Sequence, residues 1–573
     1  MFKFLILLFF FYGCSSNTKW LKQSNDIALE FIEEISQLYP EIGSQVGVKK
    51  FDGKGVVYFL DIQEKEKLIL RRWVNKLNLE ISKVSDKNYK IDLKVLRDMV
   101  TNSLDSISAN EEEKLLPIFT PSKFVYNNLR QLVNSQSDNI RIDQAINRFN
   151  DYVKPENEIP LAKAYEDYLK IFLTKNPKAI FPFERHLKKY LQDSNSYVEG
   201  VKELLEQTSS KEWESNYTLF VDQIFKYDTF LKEKILPRSR KNAALPRKVY
   251  IQKLIEHGID KKPEALINEG LALYTEYYLE FKKIAREIAL DKKFKRTSPY
   301  WIIKKFKEKQ ITNASDAKAM YENADLKLEK IIKNNKLITL PKRKLNIRIA
   351  GPVESRSSPV PHLTTPPLLN NKNNYPEFVV PSSKTGQLTF DDFSYKQAAT
   401  ILTAHEGRPG HDLQFSKMIE NKVSLIRALF ARNTVNVEGW GLYAEDLVYP
   451  YLDNEEKLIA LQTRLWRIAR YFLDPMVQLS QITKNKVINL FTYDLGVSRI
   501  MAEIEYHRYA FRSPGQAPAY LFGLLKIKEL KESLEAEFGE LNLRCFNDKV
   551  ISFGQMPHKY ILEFKNEFKT CRK

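Results

Sequence analysis

This sequence predicts a mainly α-helical fold in two lobes, on three observations. The chain has 573 residues, which is longer than one hydrophobic core usually supports, so two lobes or domains are expected. Apolar residues recur three and four positions apart through most of the chain, as they do on the buried face of a helix. Only a short region, between about residues 345 and 390, alternates with the period of a strand.

The composition is that of a globular protein with a basic balance. Apolar residues make up 43% and charged residues 28% of the chain, which excludes disordered and fibrous classes. The net charge is +18, but the lysines are scattered through helical segments and belong to solvated helix faces. Attraction to an anionic membrane surface is the alternative. No nucleic-acid motif accompanies the charge, so no nucleic-acid partner is expected.

The first residues predict export. An apolar run from Phe4 to Tyr12 follows Lys3, which is typical of a secretory signal peptide over residues 1–13. Gly13 and Cys14 then resemble a bacterial lipobox, which implies a lipid on Cys14 and anchorage to the lipid bilayer of the bacterial cell envelope. No aspartate follows the cysteine, which favours the outer membrane. An ordinary signal peptide cleaved nearby is the alternative.

Residues 14–340 form an N-terminal helical region. Segments such as "DIALEFIEEISQLYP" and "EKEKLILRRWVNKLNLEI" have the helical period, and prolines such as Pro40, Pro117 and Pro237 separate them. This region carries no obvious chemistry. The candidate site lies in residues 341–573, which we take as the second region.

A small β structure precedes the candidate site. Leu345, Ile347 and Ile349 alternate with polar residues and predict a strand. A loop rich in proline and serine follows, from 351 to 367, and "EFVV" and "GQLTF" then predict a hairpin. Such a strand can take up an extended peptide through backbone hydrogen bonds. A connecting hairpin without a ligand role is the alternative.

The strongest candidate site is the stretch "HEGRPGH" at residues 405–411. Ser394 and Gln397 have the spacing of a capping box, so His405 is expected on the last turn of a helix. On an ideal helix, histidines six positions apart point roughly 120° away from each other. They can share a metal only if the helix breaks between them, and Pro409 predicts such a break.

A third ligand is expected from the stretch "EGWGLYAE" at residues 438–445. Glu438 and Glu445 are seven positions apart and lie within about 20° of each other on a helix. Two histidines and one carboxylate, with an open fourth position, form the pattern of a catalytic zinc site. Glu406 would then be the general base that acts on water.

The pieces "HEGRPGHDLQ", "EGWGLYAEDL" and "RYAFRSPGQAPAYLFG", in this order, resemble the family of domain of unknown function 885. Its members are bacterial proteins regarded as zinc metallopeptidases, many of them lipoproteins. They are similar in plan to the helical gluzincins, such as carboxypeptidase Taq and angiotensin-converting enzyme. The resemblance covers most of the mature chain in outline and implies an elongated, two-lobed helical body. It also implies a deep active-site cleft with the small β-hairpin beside the metal helix.

The resemblance implies one Zn²⁺ per chain. Carried over residue by residue, it makes His405, His411 and Glu438 the metal ligands and Glu406 the catalytic base. The gap from His411 to Glu438 is close to that in the helical gluzincins, which favours Glu438 over Glu445 as the ligand. Glu445 is then expected beside the ligands.

The downstream motif supplies further candidates. Arg508, Tyr509, Gln516 and Tyr520 match the family's pattern. The resemblance implies that Tyr520 or Tyr509 donates a hydrogen bond to the oxyanion, and Arg508 can assist. His507 adjoins this match, and we expect it and Gln516 near the substrate.

The chain departs from the family's pattern at several positions. Asp412 stands where many relatives have a second histidine, and Arg408 where a neutral side chain is usual. His507 replaces a glutamate, and Asn547 and Gln478 stand where relatives usually have histidine. These changes leave the expected ligands intact and bear on substrate preference and activity.

Three cysteines limit the remaining possibilities. No C-x-x-C pair is present, which excludes a cysteine zinc site. Cys545 and Cys571 can pair in an oxidising compartment or remain free thiols, and the sequence does not decide between these.

The function implied is zinc-dependent hydrolysis of peptide bonds by a membrane-anchored lipoprotein. Two alternatives remain open. One is a non-catalytic surface lipoprotein that binds peptides in the same cleft. The other is a metal-dependent hydrolase of a non-peptide amide, since the motif does not distinguish the two kinds of amide bond.

Overall fold

The structure is a computed structural model, which describes residues 16–57, 60–134, 136–156, 158–311, 313–351, 354–355, 358, 360–369, 371, 374–381, 391–431 and 433–573. The described chain is mainly helical with one small sheet, which confirms the predicted fold class. No described helix is both long and apolar enough to cross a membrane. The signal peptide, Cys14 and the predicted strand "GQLTF" lie outside the described residues.

Helices make up nearly all of the chain before the sheet. Their bounds are Ser16–Leu38, Pro40–Val46, Ile62–Lys83, Lys87–Glu112, Pro121–Leu132, Asn139–Val153, Leu161–Lys175, Glu184–Leu205, Glu214–Phe230, Arg247–Glu256, Pro263–Asp291, Pro299–Lys307 and Ala314–Asn334. Several begin at a proline, whose fixed φ suits the first turn of a helix.

The helices after the sheet carry the candidate site. Their bounds are Lys396–Glu406, His411–Glu420, Thr434–Val448, Asn454–Gln478, Lys484–Asn489, Arg499–His507, Ala519–Phe538, Leu543–Ser552 and His558–Ile561. Asn454–Gln478, which we name the arginine helix, begins with a capping box. The side chain of Asp453 accepts from the backbone of Glu456, and the Glu456 side chain accepts in return from the backbone of Asp453.

The sheet has three short strands in the order β1-β3-β2. β1 (Ile347–Ile349) runs parallel to the central strand β3 (Glu377–Val380), and β2 (His362–Thr364) runs antiparallel to it. β1 and β3 occupy segments that the sequence predicted as strands. β2 lies inside the stretch predicted as a loop. The sequence did not predict it, because three residues are too few for an alternating pattern to show.

Buried apolar side chains form two large clusters. One lies within residues 56–235. The other joins side chains from residues 27–100 to Phe183 and to side chains from residue 243 onward. Phe31 of the first helix, for example, packs edge-on against Trp73 and Phe430, with ring centroids 5.1 and 5.4 Å apart. The predicted boundary between residues 340 and 341 therefore does not coincide with a boundary between the clusters.

A cavity of about 1150 Å³ lies between helices of the N-terminal region and the segment that carries β1 and β2. Its lining includes Arg130 and Arg141 on one side and Arg348 and Thr364 on the other. β2 thus borders this cavity through Thr364.

Cys545 and Cys571 form a disulfide, with Cα atoms 5.2 Å apart. The bond ties the helix Leu543–Ser552 to the end of the chain. It decides the pairing that the sequence left open.

Candidate metal centre

The chain breaks sharply between the two histidines. The helix Lys396–Glu406, the first histidine helix, ends before Pro409, and the helix His411–Glu420, the second histidine helix, begins after it. The Arg408–Pro409 peptide bond is cis. A Cβ at Gly410 would lie 1.9 Å from the carbonyl oxygen of His405, so only glycine fits there. The predicted helix break is confirmed.

The predicted capping box before the first histidine helix is wrong. The N-cap residue is Tyr395, without a side-chain hydrogen bond to the helix. Ser394 instead donates to the side chain of Gln310 at 3.2 Å, and Gln397 donates to Glu455 at 2.6 Å. Partners from distant parts of the chain take the place of the local ones.

The break brings two imidazoles and one carboxylate together. Nε2 of His405 and Nε2 of His411 each lie 3.5 Å from Oε2 of Glu438. The three ligand atoms lie within 4.8 Å of one another. Ligand atoms around a tetrahedral zinc ion are about 3.3 Å apart, since Zn–N and Zn–O bonds are about 2.0–2.2 Å long. The two histidine–glutamate distances are close to this value, and two imidazoles with one carboxylate are a donor set that suits zinc.

Charge favours the ligand form of Glu438. Burial alone would raise the pKa of this carboxyl group, but its contacts with His405 and His411 hold the pKa well below its ordinary value. The group is therefore ionised, as a metal ligand must be.

Glu438 and Glu445 lie on the same helix, Thr434–Val448, which we name the glutamate helix. Glu445 contacts the other ring nitrogen of His405, since its Oε1 lies 2.8 Å from Nδ1. Metal-binding histidines commonly donate their second ring N–H to a carboxylate, which fixes the ring. The structure thus places Glu438 beside both histidines and Glu445 behind His405.

Small residues let the glutamate helix approach the histidines. A Cβ at Gly441 would lie 2.5 Å from Cε1 of His405, and one at Gly439 would lie 2.5 Å from Cα of Gly523. Between them, Trp440 donates from Nε1 to the carbonyl oxygen of Pro409 at 3.0 Å. The motif therefore holds the helix against the break and leaves room for the imidazole ring.

The arginine helix supports Glu445 from behind. An Nη2 of Arg467 lies 3.2 Å from Oε1 of Glu445, and Thr463 donates to its Oε2 at 3.2 Å. Burial opposes ionisation of Glu445, but Arg467 and His405 lower its pKa to about 2. Neither Arg467 nor Thr463 was among the residues predicted from the sequence. The available signal was Arg464, Arg467 and Arg470 at three-residue spacing in a mainly apolar helix.

Glu406, the expected base, lies at the end of the first histidine helix. Its Oε2 accepts a hydrogen bond from the backbone N–H of Leu363 in β2, at 3.1 Å. Together with His405 it lines a small cavity that also reaches Tyr520. The sheet therefore holds the carboxylate at the wall of this cavity.

Part of the downstream motif converges on the same cavity. The ring of Tyr520 is nearly parallel to that of His405, with centroids 6.3 Å apart and an interplanar angle of 17°. Arg508 donates from Nη1 to the Tyr520 hydroxyl at 3.3 Å and to Oε1 of Gln516 at 3.1 Å. Gln516 lies in the turn before the helix Ala519–Phe538.

Two expected site residues point elsewhere. The hydroxyl of the fully buried Tyr509 donates to Oε2 of Glu505 at 2.8 Å. The ring of His507 packs against Phe511 with centroids 5.0 Å apart, and burial lowers its pKa to about 4. Neither Tyr509 nor His507 lines the cavity beside the triad. Glu505, which the sequence analysis missed, binds Arg470 through both oxygens at 2.8 Å.

Asn547 and Gln478, which replace histidines of relatives, are buried and hydrogen-bonded. Asn547 accepts from the hydroxyl of Tyr443 at 3.0 Å and donates to the carbonyl of Leu337 at 2.8 Å. Gln478 accepts from the backbone N–H of Leu245 at 2.9 Å. Neither residue belongs to the triad or lines the small cavity.

Arg408 and Asp412 form a buried ion pair next to the break. Nε of Arg408 donates to Oδ2 of Asp412 at 3.2 Å, and Arg408 also contacts Glu329. Arg343 contacts the other oxygen of Asp412. These two departures from the family pattern therefore anchor the loop between the histidines.

Comparisons with known proteins agree on the fold. A family model described as bacterial protein of unknown function (DUF885) matches residues 40–563. The structure of a protein of unknown function from Shewanella oneidensis, described as a suspected lipoprotein, is similar at 18% identity and a TM-score of 0.74, over 96% of this chain and 100% of that chain. The structure of a suspected lipoprotein from Colwellia psychrerythraea is similar at 18% identity and a TM-score of 0.76, over 96% of this chain and 99% of that chain. None of the curated proteins matches the sequence.

Proposed function

The chain belongs to the bacterial protein family of unknown function DUF885, and we propose that it is a zinc-dependent hydrolase of peptide bonds. One observation carries the proposal. The ligand atoms of His405, His411 and Glu438 lie within 4.8 Å of one another, and Glu406 lines the adjoining cavity. This combines a metal site with a carboxylate placed to move a proton.

Zinc is the metal that this donor set fits best. Two imidazoles and one carboxylate leave an open position, which distinguishes catalytic from structural zinc sites. When bound, the ion supplies Lewis-acid polarisation to a water molecule and to a carbonyl group. Cobalt or manganese can take its place in vitro.

Glu406 acts as the general base and then as the general acid. Its carboxylate is held at the cavity wall by the backbone N–H of Leu363. From there it takes a proton from the attacking water and delivers it to the nitrogen of the leaving amine. Glu445 keeps His405 in the orientation that presents Nε2 to the metal.

Tyr520 and Arg508 stabilise the negative charge that develops on the carbonyl oxygen. Burial raises the pKa of Tyr520, so the phenol stays protonated and can donate a hydrogen bond. Arg508 contacts the same hydroxyl at 3.3 Å. Donors that are fixed before the reaction stabilise an oxyanion without reorganisation. Tyr509 takes no direct part in this proposal, because its hydroxyl already donates to Glu505.

We also propose a lipid anchor on Cys14 and a location in the bacterial cell envelope. The sequence places Cys14 directly after an apolar run, and the similar structures from Shewanella and Colwellia are described as suspected lipoproteins. Fractionation of cells that express wild-type protein and Cys14→Ser tests this. The wild type should stay with the membranes, and separation of outer from inner membranes tests the preference for the outer one. Recovery of both forms in the soluble fraction would reject the anchor.

Metal content is the first test of the hydrolase. Protein that starts after Cys14 is purified, supplied with zinc, and measured by mass spectrometry beside Glu438→Ala. We expect about one zinc per chain in the wild type and its loss in the variant. Wild-type protein that holds no zinc would reject the metal site.

Turnover is the second test. A peptide library should be cleaved by the zinc-loaded protein, spared after chelation, and cleaved again once zinc returns. Cleavage of non-peptide amides alone would assign the site to an amide hydrolase. Peptide binding without any cleavage would instead assign it to a binding lipoprotein.

A further inference from the structure

A small cavity of about 100 Å³ opens beside the metal centre. His405 and Glu406 line it on one side, and Arg467, Arg470 and Arg508 line it on another. Pockets for drug-sized ligands usually measure about 300–1,000 Å³. This one suits a single small residue of a substrate rather than a longer segment.

The three arginines have too few neighbouring carboxylates to balance their charge. Glu505 binds Arg470 through two hydrogen bonds of 2.8 Å, and the same carboxylate lies 3.6 Å from Nε of Arg508. Arg467 lies 3.2 Å from Glu445, which also binds the imidazole of His405. Three arginine cations thus face two carboxylates, and one of these, Glu445, also binds His405.

The other acidic groups near the cavity have partners or roles of their own. Asp392 also lines the cavity, but it pairs with Lys307 at 2.7 Å and accepts from the backbone N–H of Ser498 at 2.9 Å. Glu406 and Glu438 face the proposed zinc ion, whose double charge balances them. The arginine side of the cavity therefore keeps an excess positive charge.

Two buried N–H groups on this wall have no partner among the described residues. They are Nε of Arg467 and Nε1 of Trp466, whose side chains line the cavity. These residues are 8% and 5% exposed. Leaving a buried donor unpaired is costly. Both orphan groups are donors, so this wall offers them no acceptor.

We infer that this cavity binds the free carboxylate of the residue that follows the scissile bond. Carboxylates accept charge-assisted hydrogen bonds from arginine, often in pairs. The substrates are then peptides or N-acyl amino acids with a free C-terminal carboxylate, from which one small residue is released. Apolar walls formed by residues such as Ile459 and Met501 favour a small apolar side chain. The inference rests on the proposed hydrolase function.

Binding by zinc-loaded Glu406→Gln tests the inference without turnover. The probes are N-acetyl-Ala-Ala with a free carboxylate and the same peptide with a C-terminal amide, compared by isothermal titration calorimetry. We expect the acid to bind at least about tenfold more tightly, the effect of a charge-assisted contact. Equal affinity for acid and amide would overturn the inference.

Variants on the arginine helix, made on the same background, exclude direct binding of the carboxylate to zinc. Arg467→Gln should lower the preference for the acid at least about fivefold, measured on protein shown to contain zinc. Arg464→Gln is the matched control, because Arg464 pairs with Asp446 instead and does not line the cavity. Retained preference in Arg467→Gln would overturn the inference. If that variant does not fold, Arg467→Lys takes its place, since lysine keeps the charge but loses the planar paired donors.

Turnover of the same two peptides by the wild type separates the hydrolase hypothesis from the hypothesis of a carboxylate-binding cavity. Faster cleavage of the acid supports both. Equal cleavage of acid and amide overturns the carboxylate pocket and leaves the hydrolase standing. Tighter binding of the acid without cleavage of any peptide supports the pocket and overturns the hydrolase.

Discussion

At the scale of single residues, the two nitrogens of His405 have different partners. Nδ1 meets Glu445 at 2.8 Å, and Nε2 faces Glu438 at 3.5 Å. Two glutamates on one helical face thus have different environments, one behind the ring and one in front of it. His411 has no comparable support, since its buried Nδ1 lacks a partner among the described residues.

The first prediction concerns His411. Because the chain break brings its Nε2 to the same Glu438 oxygen that faces His405, His411→Ala should lose zinc as severely as His405→Ala. We expect the zinc affinity to fall more than about 100-fold. Loss of a residue that only supports a metal ligand usually costs less than this. Competition with a zinc chelator measures the affinity. Full zinc retention by His411→Ala would remove it from the ligand set.

The second prediction separates metal binding from proton transfer. Glu406→Gln keeps the shape of the side chain but cannot accept a proton. The variant should hold wild-type zinc and lose turnover by about 10²–10⁴-fold, the usual contribution of a general base. Metal analysis and peptide hydrolysis are measured on one preparation. Hydrolysis near the wild-type rate would reject Glu406 as the base.

At the scale of elements, the centre depends on close contact between helices. The first histidine helix ends before Pro409, and the glutamate helix approaches His405 through glycines. The arginine helix lies behind both and holds Glu445. Each contact leaves little space, so small changes at the helix surfaces should alter the metal site.

The third prediction tests this contact. Gly441→Ala would place a Cβ 2.5 Å from the His405 ring, so the ring or the helix must move. We expect weaker zinc binding and a loss of about 1–3 kcal/mol in unfolding free energy. The control is Gly351→Ala, where a Cβ would meet nothing within 4 Å. Equal zinc affinity in the two variants would contradict the packing argument.

The fourth prediction concerns a buried carboxyl group on the arginine helix. Asp474 accepts from the Tyr250 hydroxyl at 2.7 Å and from the backbone N–H of Gly515 at 3.0 Å. Burial raises its pKa to about 7. Because the folded protein binds this proton more tightly than the unfolded chain, protonation of Asp474 stabilises the fold. This contribution is fully present below the pKa of an aspartate in the unfolded chain, about 3.9. That stability is lost as the pH rises through about 7.

Denaturant unfolding across this pH range measures the effect. The unfolding free energy of the wild type should fall relative to that of Asp474→Asn between about pH 4 and pH 7. The comparison with the variant removes the contribution of other titrating groups. A constant difference between the two proteins at all pH values would contradict the shifted pKa.

At the scale of the whole molecule, the candidate metal centre lies in the larger of two large buried clusters. Its candidate ligands come from helices of this cluster, which also contains side chains from the N-terminal helices. The cluster within residues 56–235 provides none of the three ligands. The larger core is therefore built from both ends of the chain.

The fifth prediction concerns the end of the chain. The disulfide joins residues separated by 26 positions, and a loop of that length corresponds to about 3.5 kcal/mol in the chain-entropy account. The double variant Cys545→Ser, Cys571→Ser should lose about that much unfolding free energy. Its zinc content should match the wild type, because neither cysteine belongs to the triad. Loss of zinc at full stability would contradict this separation.

The sequence by itself determined the helical class, the helix break and the residue types of the candidate metal site. These features depend on short stretches of chain. Apolar periodicity predicts a helix locally, and Pro409 interrupts one wherever it stands. The separation of seven positions placed Glu438 and Glu445 on one face before their partners were known.

The tertiary structure alone decided which side chains meet across long separations. It placed Glu445 behind His405, Arg467 behind Glu445, β2 beside Glu406, and the Tyr509 hydroxyl on Glu505. It also replaced the predicted capping box at Ser394 with distant partners. The physical reason is that local patterns act over a few residues. Buried polar groups instead take whichever partner the packing of distant helices brings near.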